Sequence, residues 1–175
     1  MNRHLIQRLN VAGRHVTNYL SKLLLVRGYA FNSTADFETV REIKERLCYV
    51  SNNLEEDRRL AKETTVVDVE YTLPDKSIIR VGRERFEATE CLFNPSYVDS
   101  EMDGISNMII KTVDKSEIDI RKDLYKTILL SGGTTMFPGF PTRLKTDIMN
   151  LFKRQIEAGT RDKSQKYKVN VLVRV

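Results

Sequence analysis

The sequence predicts a mixed α/β protein on three observations. The apolar run Thr127-Ile128-Leu129-Leu130 is too short for a helix and suits a buried strand, and it empties into Ser131-Gly132-Gly133-Thr134-Thr135 and then a helical stretch. Two segments, Val67 to Leu73 and Tyr167 to Val175, place apolar residues at every second position, the period of a strand. Between them, apolar residues recur at helical spacing. One central strand, one hairpin and a last strand without a partner are few for a complete sheet of this class, which typically has about five or six strands. The sequence therefore reads as part of a larger sheet.

Taken in order, Val16, Tyr19, Leu20, Leu23 and Leu24 mark the apolar side of a helix over Arg14 to Val26, with Gly28 placed to cap its C-terminus. A second helix follows, capped by Ser33 or Thr34, with acids in its first turn and Phe37, Val40, Ile43, Leu47 and Val50 on its buried side. A third, strongly charged helix runs from about Leu54 to Lys62, capped by Asn52 or Asn53. Pro74-Asp75-Lys76-Ser77 reads as the turn of a hairpin whose return strand carries Ile79 and Val81. Lys76 is awkward there, because a glycine tolerates positive φ better. Gly104 to Val113 is helical, with Ile105, Met108, Ile109 and Val113 on one face. After the Gly-Gly turn comes a long helix marked by Leu144, Ile148, Leu151, Phe152 and Ile156, with Gly159 as its cap.

Composition excludes several function classes. Hydrophobic residues make up 41% and charged residues 30% of the 175 positions, a globular balance. The longest apolar run, Leu23-Leu24-Leu25-Val26, is far short of the roughly 20 residues of a membrane helix, and the N-terminus has no apolar core of a secretory signal. Membrane insertion is therefore not expected. The net charge of +5 is spread along the chain and alternates with acids, as in EDRRLAKE, so it describes solvated helix faces rather than a nucleic-acid surface. The two cysteines, Cys48 and Cys91, sit in apolar stretches without metal-ligand spacing, which predicts buried reduced thiols and a cytosolic setting.

Two local patterns are candidates for a site. In LLSGGTTMFPG, glycines at the carboxyl end of a strand let backbone amides approach a ligand, and α/β folds bind ligands at such loops. The same residues also fit a plain strand-to-helix connection. Arg41, Lys44 and Glu45 stand at i, i+3 and i+4 and share a helix face, either lining a cleft or forming an exposed ion pair. Catalytic apparatus is absent from the pattern. His4 and His15 have no acid partner or serine elbow, and neither G-x-x-x-x-G-K-[ST] nor G-x-G-x-x-G occurs. No catalytic or metal-binding residue is assigned.

The segments RLNVAGRHVTNYL, RGYAF, VREIKERLCYV, YTLPD, GRERF, ECLFNPS, DIRKDLY and LLSGGTTMFPG resemble consecutive segments of the actin family in the same order, from about Arg8 to Lys168. ADFETVREIKE and the long NLFKRQIEAGTRDKSQKYKV tail resemble an actin-related branch rather than conventional actin. The resemblance implies an actin-like fold of the ribonuclease-H-like ATPase type, present here in part. Residues 14–100 would form the small outer lobe, subdomain 4, and residues 1–13 and 101–175 part of subdomain 3. It implies ATP in a cleft, with Arg41, Lys44 and Glu45 on the adenosine side and Gly132, Gly133, Thr134, Met136 and Phe137 against nucleoside and phosphate. Phe137 stands where tyrosine is more usual, so a ring contact survives and a hydroxyl hydrogen bond does not.

The family's two aspartate-bearing phosphate hairpins, its water-orienting residue and its metal-associated acids precede the point where this sequence starts, and where the family continues into a Pro-Pro segment and a further adenine-contacting stretch this chain departs from it and reads VNVLVRV. The chain is thus expected to be no enzyme, to bind ATP weakly or not at all, in the millimolar range or worse, and to meet magnesium only through the nucleotide. The expected partners are the other subunits of a filament-nucleating, branch-forming complex, a second actin-related subunit among them, and actin filaments, in the cytoplasm and cytoskeleton. A sugar-kinase-like or chaperone-like ATPase of the same superfold, or a nucleotide-independent binding module, is the alternative. The isolated chain is expected to be poorly soluble because Thr127–Leu130 and Tyr167–Val175 lack sheet neighbours, with residues 14–100 better behaved.

Overall fold

Seven helices and two small sheets follow one another in the computed structural model, which describes residues 3–31, 33–159 and 168–174. Helix α1 (Gly13–Val26) buries Val16, Thr17, Leu20 and Leu24 and ends where Gly28 takes φ +103°, as its capping position requires. Ser33 caps α2 (Thr34–Leu47) in a reciprocal box: its hydroxyl accepts from the Asp36 N–H, and Asp36 accepts from the Ser33 N–H. Asn53 caps α3 (Leu54–Glu63), which buries no residue and is tied down by Arg58, whose guanidinium donates to Glu87 at 3.1 Å and to the Tyr97 hydroxyl at 3.4 Å.

The hairpin forms as its alternation predicts. Strand β1 (Val69–Thr72) pairs antiparallel with β2 (Ile78–Val81), Val69 opposite Val81 and Thr72 opposite Ile78. Lys76 adopts φ +69° in the turn, a left-handed conformation that costs a side-chain-bearing residue roughly 1–2 kcal/mol. Lys76→Gly is therefore expected to stabilise the chain by about 0.5–1 kcal/mol after the extra chain entropy of glycine is subtracted. A chemical-denaturation midpoint that fails to rise would contradict this.

After the short helix α4 (Glu84–Glu87) and two 3₁₀ turns (Ala88–Leu92, Pro95–Val98) come α5 (Ile105–Asp114), α6 (Ile118–Lys126), strand β3 (Ile128–Ser131), the long helix α7 (Phe140–Glu157) and strand β4 (Val171–Arg174). The last strand is not without a partner, as the sequence suggested. The α7 crossover returns the chain beside β3, and β4 pairs with it in parallel, Ile128 opposite Val171 and Ser131 opposite Arg174. Each strand thus supplies the other's neighbour. Leu129 and Leu172, opposite each other in that register, stay 58% and 52% exposed. Tyr167 and Val175, assigned to this strand from the alternation, lie outside the described residues.

One apolar cluster joins most of these elements, from Val11 in the entry to α1 to Val169 before β4, and α3 and α4 contribute no residue to it. Its polar tie is Arg143 on α7, 9% exposed. The guanidinium forks onto Glu90 at 2.7 and 3.0 Å, donates to the Ser51 carbonyl at 2.8 Å and to Asp147 at 2.9 Å, and lies 4.8 Å over the Phe93 ring. Burial opposes its charge, and the hydrogen bonds and charge of Glu90 outweigh that and hold the guanidinium pKa above its ordinary value. Both cysteines are free and buried, as expected. Burial pushes each thiol up to about 12. The protonated thiols therefore add stability that is complete below pH 9 and is lost as the pH rises from 9 toward 12.

Candidate functional site

A cavity of about 620 Å³ opens between α1, α2 and the loop after β3. Capping and periodicity place its walls. The Ser33 cap sets the phase of α2 so that Val40 and Ile43 enter the core, which turns Phe37, Arg41, Lys44 and Glu45 toward the cavity. Strand β3 ends in the Gly-Gly turn, and Gly132 makes that turn at φ +102° while its carbonyl accepts from the Thr135 N–H at 3.0 Å and the Thr135 hydroxyl at 2.7 Å. The loop then presents Gly133, Thr134, Met136 and Phe137 to the same cavity. It closes at Gly139, where φ is +83° and an added Cβ would stand 2.3 Å from the Val50 carbonyl oxygen, so only glycine fits.

Of the eight residues that the sequence singled out, seven line this one cavity and Gly132 does not. Arg41 also makes the ion pairs of the alternative reading, to Glu45 and to Glu38 at 3.1 Å each. The hydrogen bond to Glu45 and the charges of both acids push its guanidinium pKa up, yet the side chain is exposed to solvent and these pairs add little to stability. Lys44 differs: the residue is 8% exposed, and its ammonium donates to the Thr17 hydroxyl at 3.2 Å with the Glu45 carboxylate at 3.9 Å.

The sequence reading missed the third wall. Gly13, Arg14 and Thr17, at the start of α1, line the cavity too. The Gly13 N–H donates to the Thr134 hydroxyl at 3.3 Å across 121 residues of chain, and an added Cβ at Gly13 would meet that oxygen at 3.3 Å and the Lys44 ammonium nitrogen at 3.7 Å. A glycine where a helix begins was the available signal, but nothing local says what stands opposite it. Phe37, assigned to the core, is half-buried and lines the cavity through its place one turn before Arg41.

The arrangement suits a nucleoside better than a free metal ion. A volume of 620 Å³ falls within the range of about 300–1,000 Å³ common for small-molecule sites. Phe37, Met136 and Phe137 give it an apolar wall, and Lys44, Arg41 and Glu45 bring donors and acceptors to it. Gly133 has neither positive φ nor a packing neighbour within 4 Å of an added Cβ, which leaves its backbone open to a ligand. Among the described residues, no group of three or more His, Cys, Asp or Glu is placed to hold a metal, and no helix is long and apolar enough to cross a membrane.

The family model for actin matches residues 2–172. The chain is similar to actin-related protein 2 of Acanthamoeba castellanii, 52% identical over 168 residues that cover 96% of this chain and 43% of the relative. It is 51% identical to the actin-related protein 2 of Caenorhabditis briggsae and to that of Drosophila melanogaster, over 96% of this chain in each case and 43% and 42% of the relatives. The chain thus spans less than half the length of these relatives. A match along almost all of its residues, in the order of the motifs that build the cavity, leaves one conclusion: the chain belongs to the actin family.

Proposed function

We propose that this chain supplies the nucleoside side of an ATP-binding cleft in an actin-related subunit of a filament-nucleating complex. The observation that carries the reading is the convergence of Arg41, Lys44 and Glu45 with Gly133, Thr134, Met136 and Phe137 on one cavity, from segments about ninety positions apart in the sequence. Neither set has a local structural reason to face the other. The similarity to actin-related protein 2 supports the assembly part of the proposal: the partners are the other subunits of the actin-related protein 2/3 complex, actin-related protein 3 among them, and actin filaments, in the cytoplasmic cytoskeleton.

The reading divides labour within the cleft. The apolar wall stacks on the base, Glu45 and Arg41 meet the ribose hydroxyls, and Lys44 supplies a desolvated positive charge. Residues 14–100 act as the outer lobe, subdomain 4, and residues 1–13 and 101–175 as part of subdomain 3. The chain performs no hydrolysis by itself, and magnesium comes to it only with the nucleotide. On this division the triphosphate adds little to the affinity that the nucleoside supplies. The test is a titration of the 175-residue chain with ATP and with adenosine. Both are expected to bind in the millimolar range within about threefold of each other. ATP binding more than a hundredfold tighter than adenosine would place the phosphate contacts within this chain and overturn the division.

A further inference from the structure

Lys44 is held in an unusual way for so buried a cation. Its ammonium has three donors, and among the described residues its one hydrogen-bond acceptor is the Thr17 hydroxyl at 3.2 Å. Glu45 stands at 3.9 Å, within ion-pair range but beyond a hydrogen bond. Thr17 is 1% exposed, and its own proton goes to the Gly13 carbonyl at 3.0 Å, which turns an oxygen lone pair toward Lys44. The Gly13 N–H in turn donates to the Thr134 hydroxyl at 3.3 Å. A hydrogen-bonded chain Lys44–Thr17–Gly13–Thr134 therefore runs across the cavity from α2 through α1 to the Gly-Gly loop.

We propose that Thr17 is a positioning residue for the ligand of this cavity: it fixes the Lys44 ammonium so that the remaining donors face an acceptor group on the bound nucleoside. The inference rests on the nucleoside reading above for its ligand, and on the hydrogen-bonded chain alone for its geometry. A serine at position 17 keeps the oxygen; a valine keeps the shape and removes it.

The test compares Thr17→Val and Thr17→Ser in the full chain, with Lys44→Met alone and combined with Thr17→Val. Two readouts are taken: the initial slope of amide shift changes against adenosine concentration, and the rate of reductive methylation of Lys44 without ligand. Thr17→Val is expected to lower the slope at least fivefold and to raise the methylation rate severalfold, while Thr17→Ser stays within twofold of the parent in both. The slope effect of Thr17→Val is expected to vanish in the Lys44→Met background. Thr17→Ala replaces the valine variant if the latter loses its cooperative melt. A parent chain that shows no saturable shift, with methylation still dependent on Thr17, sinks the nucleoside reading and keeps the positioning role. Methylation and slope both unchanged in Thr17→Val, or a slope loss that persists in Lys44→Met, overturns the proposal.

Discussion

Arg143→Met is expected to destabilise the chain by about 3–5 kcal/mol, the cost of leaving a buried charge without its partner. Glu90, 5% exposed, would lose both oxygens' bonds to the guanidinium, and the Ser51 carbonyl and Asp147 would each lose a donor. The loss is large because one side chain joins α7, the 3₁₀ turn at Ala88–Leu92 and the segment after α2. Pairing the change with Glu90→Leu removes the stranded carboxylate, and the double variant is expected to recover a large part of the loss. Urea denaturation of the three variants measures this. A loss below about 1 kcal/mol in Arg143→Met would mean that water or a rearranged partner satisfies Glu90.

Lys44→Met is expected to weaken nucleoside binding about 10- to 100-fold, the equivalent of the roughly 1.5–3 kcal/mol that a hydrogen bond to a charged group contributes. Its effect on stability should have the other sign or none. The ammonium is desolvated with one hydroxyl acceptor, and an apolar chain of similar length removes that burden while filling the same space. Affinity and stability thus separate at this position, as they do where a fold tolerates strain for a ligand. Parallel titration and thermal melts of parent and variant test it. Affinity within threefold of the parent would remove Lys44 from the site.

Local chemistry made much of the fold legible. Ser33 and Asn53 cap the helices that their side chains announced, Gly28 and Gly159 end theirs at positive φ, and Lys76 takes the strained turn conformation that its position implied. What escaped lacks a local signature. Helix α6, in the DIRKDLY segment, has no apolar stripe to mark it: Ile118, Ile120 and Leu124 are exposed and only Tyr125 is buried. In the stretch from Glu84 to Val98 the acids Glu84 and Glu90 interrupt the apolar residues and look solvent-facing, yet both are buried against Arg27 and Arg143, partners 57 and 53 positions away. The pairing of β3 with β4 is likewise a tertiary event that alternation alone cannot reveal.

The site divides along the same line. The shared face of Arg41, Lys44 and Glu45 follows from helical spacing, and the loop from its glycines. The α1 wall, Gly13 and Thr17, is set by contacts with Thr134 and Lys44 that no window of sequence contains. Buried Lys44 shows the limit most clearly. Its spacing gives its face, and only the fold gives its desolvation.

If one cavity holds the nucleoside, a residue-resolved amide-shift titration of the chain with ATP will show it. Saturable shifts are expected, half-complete in the millimolar range, concentrated at Gly13, Lys44, Glu45, Gly133 and Thr134, on three walls at once. Shifts confined to another face, such as the cavity between Lys126 and Lys145, or spread over the surface lysines without saturation, would contradict it.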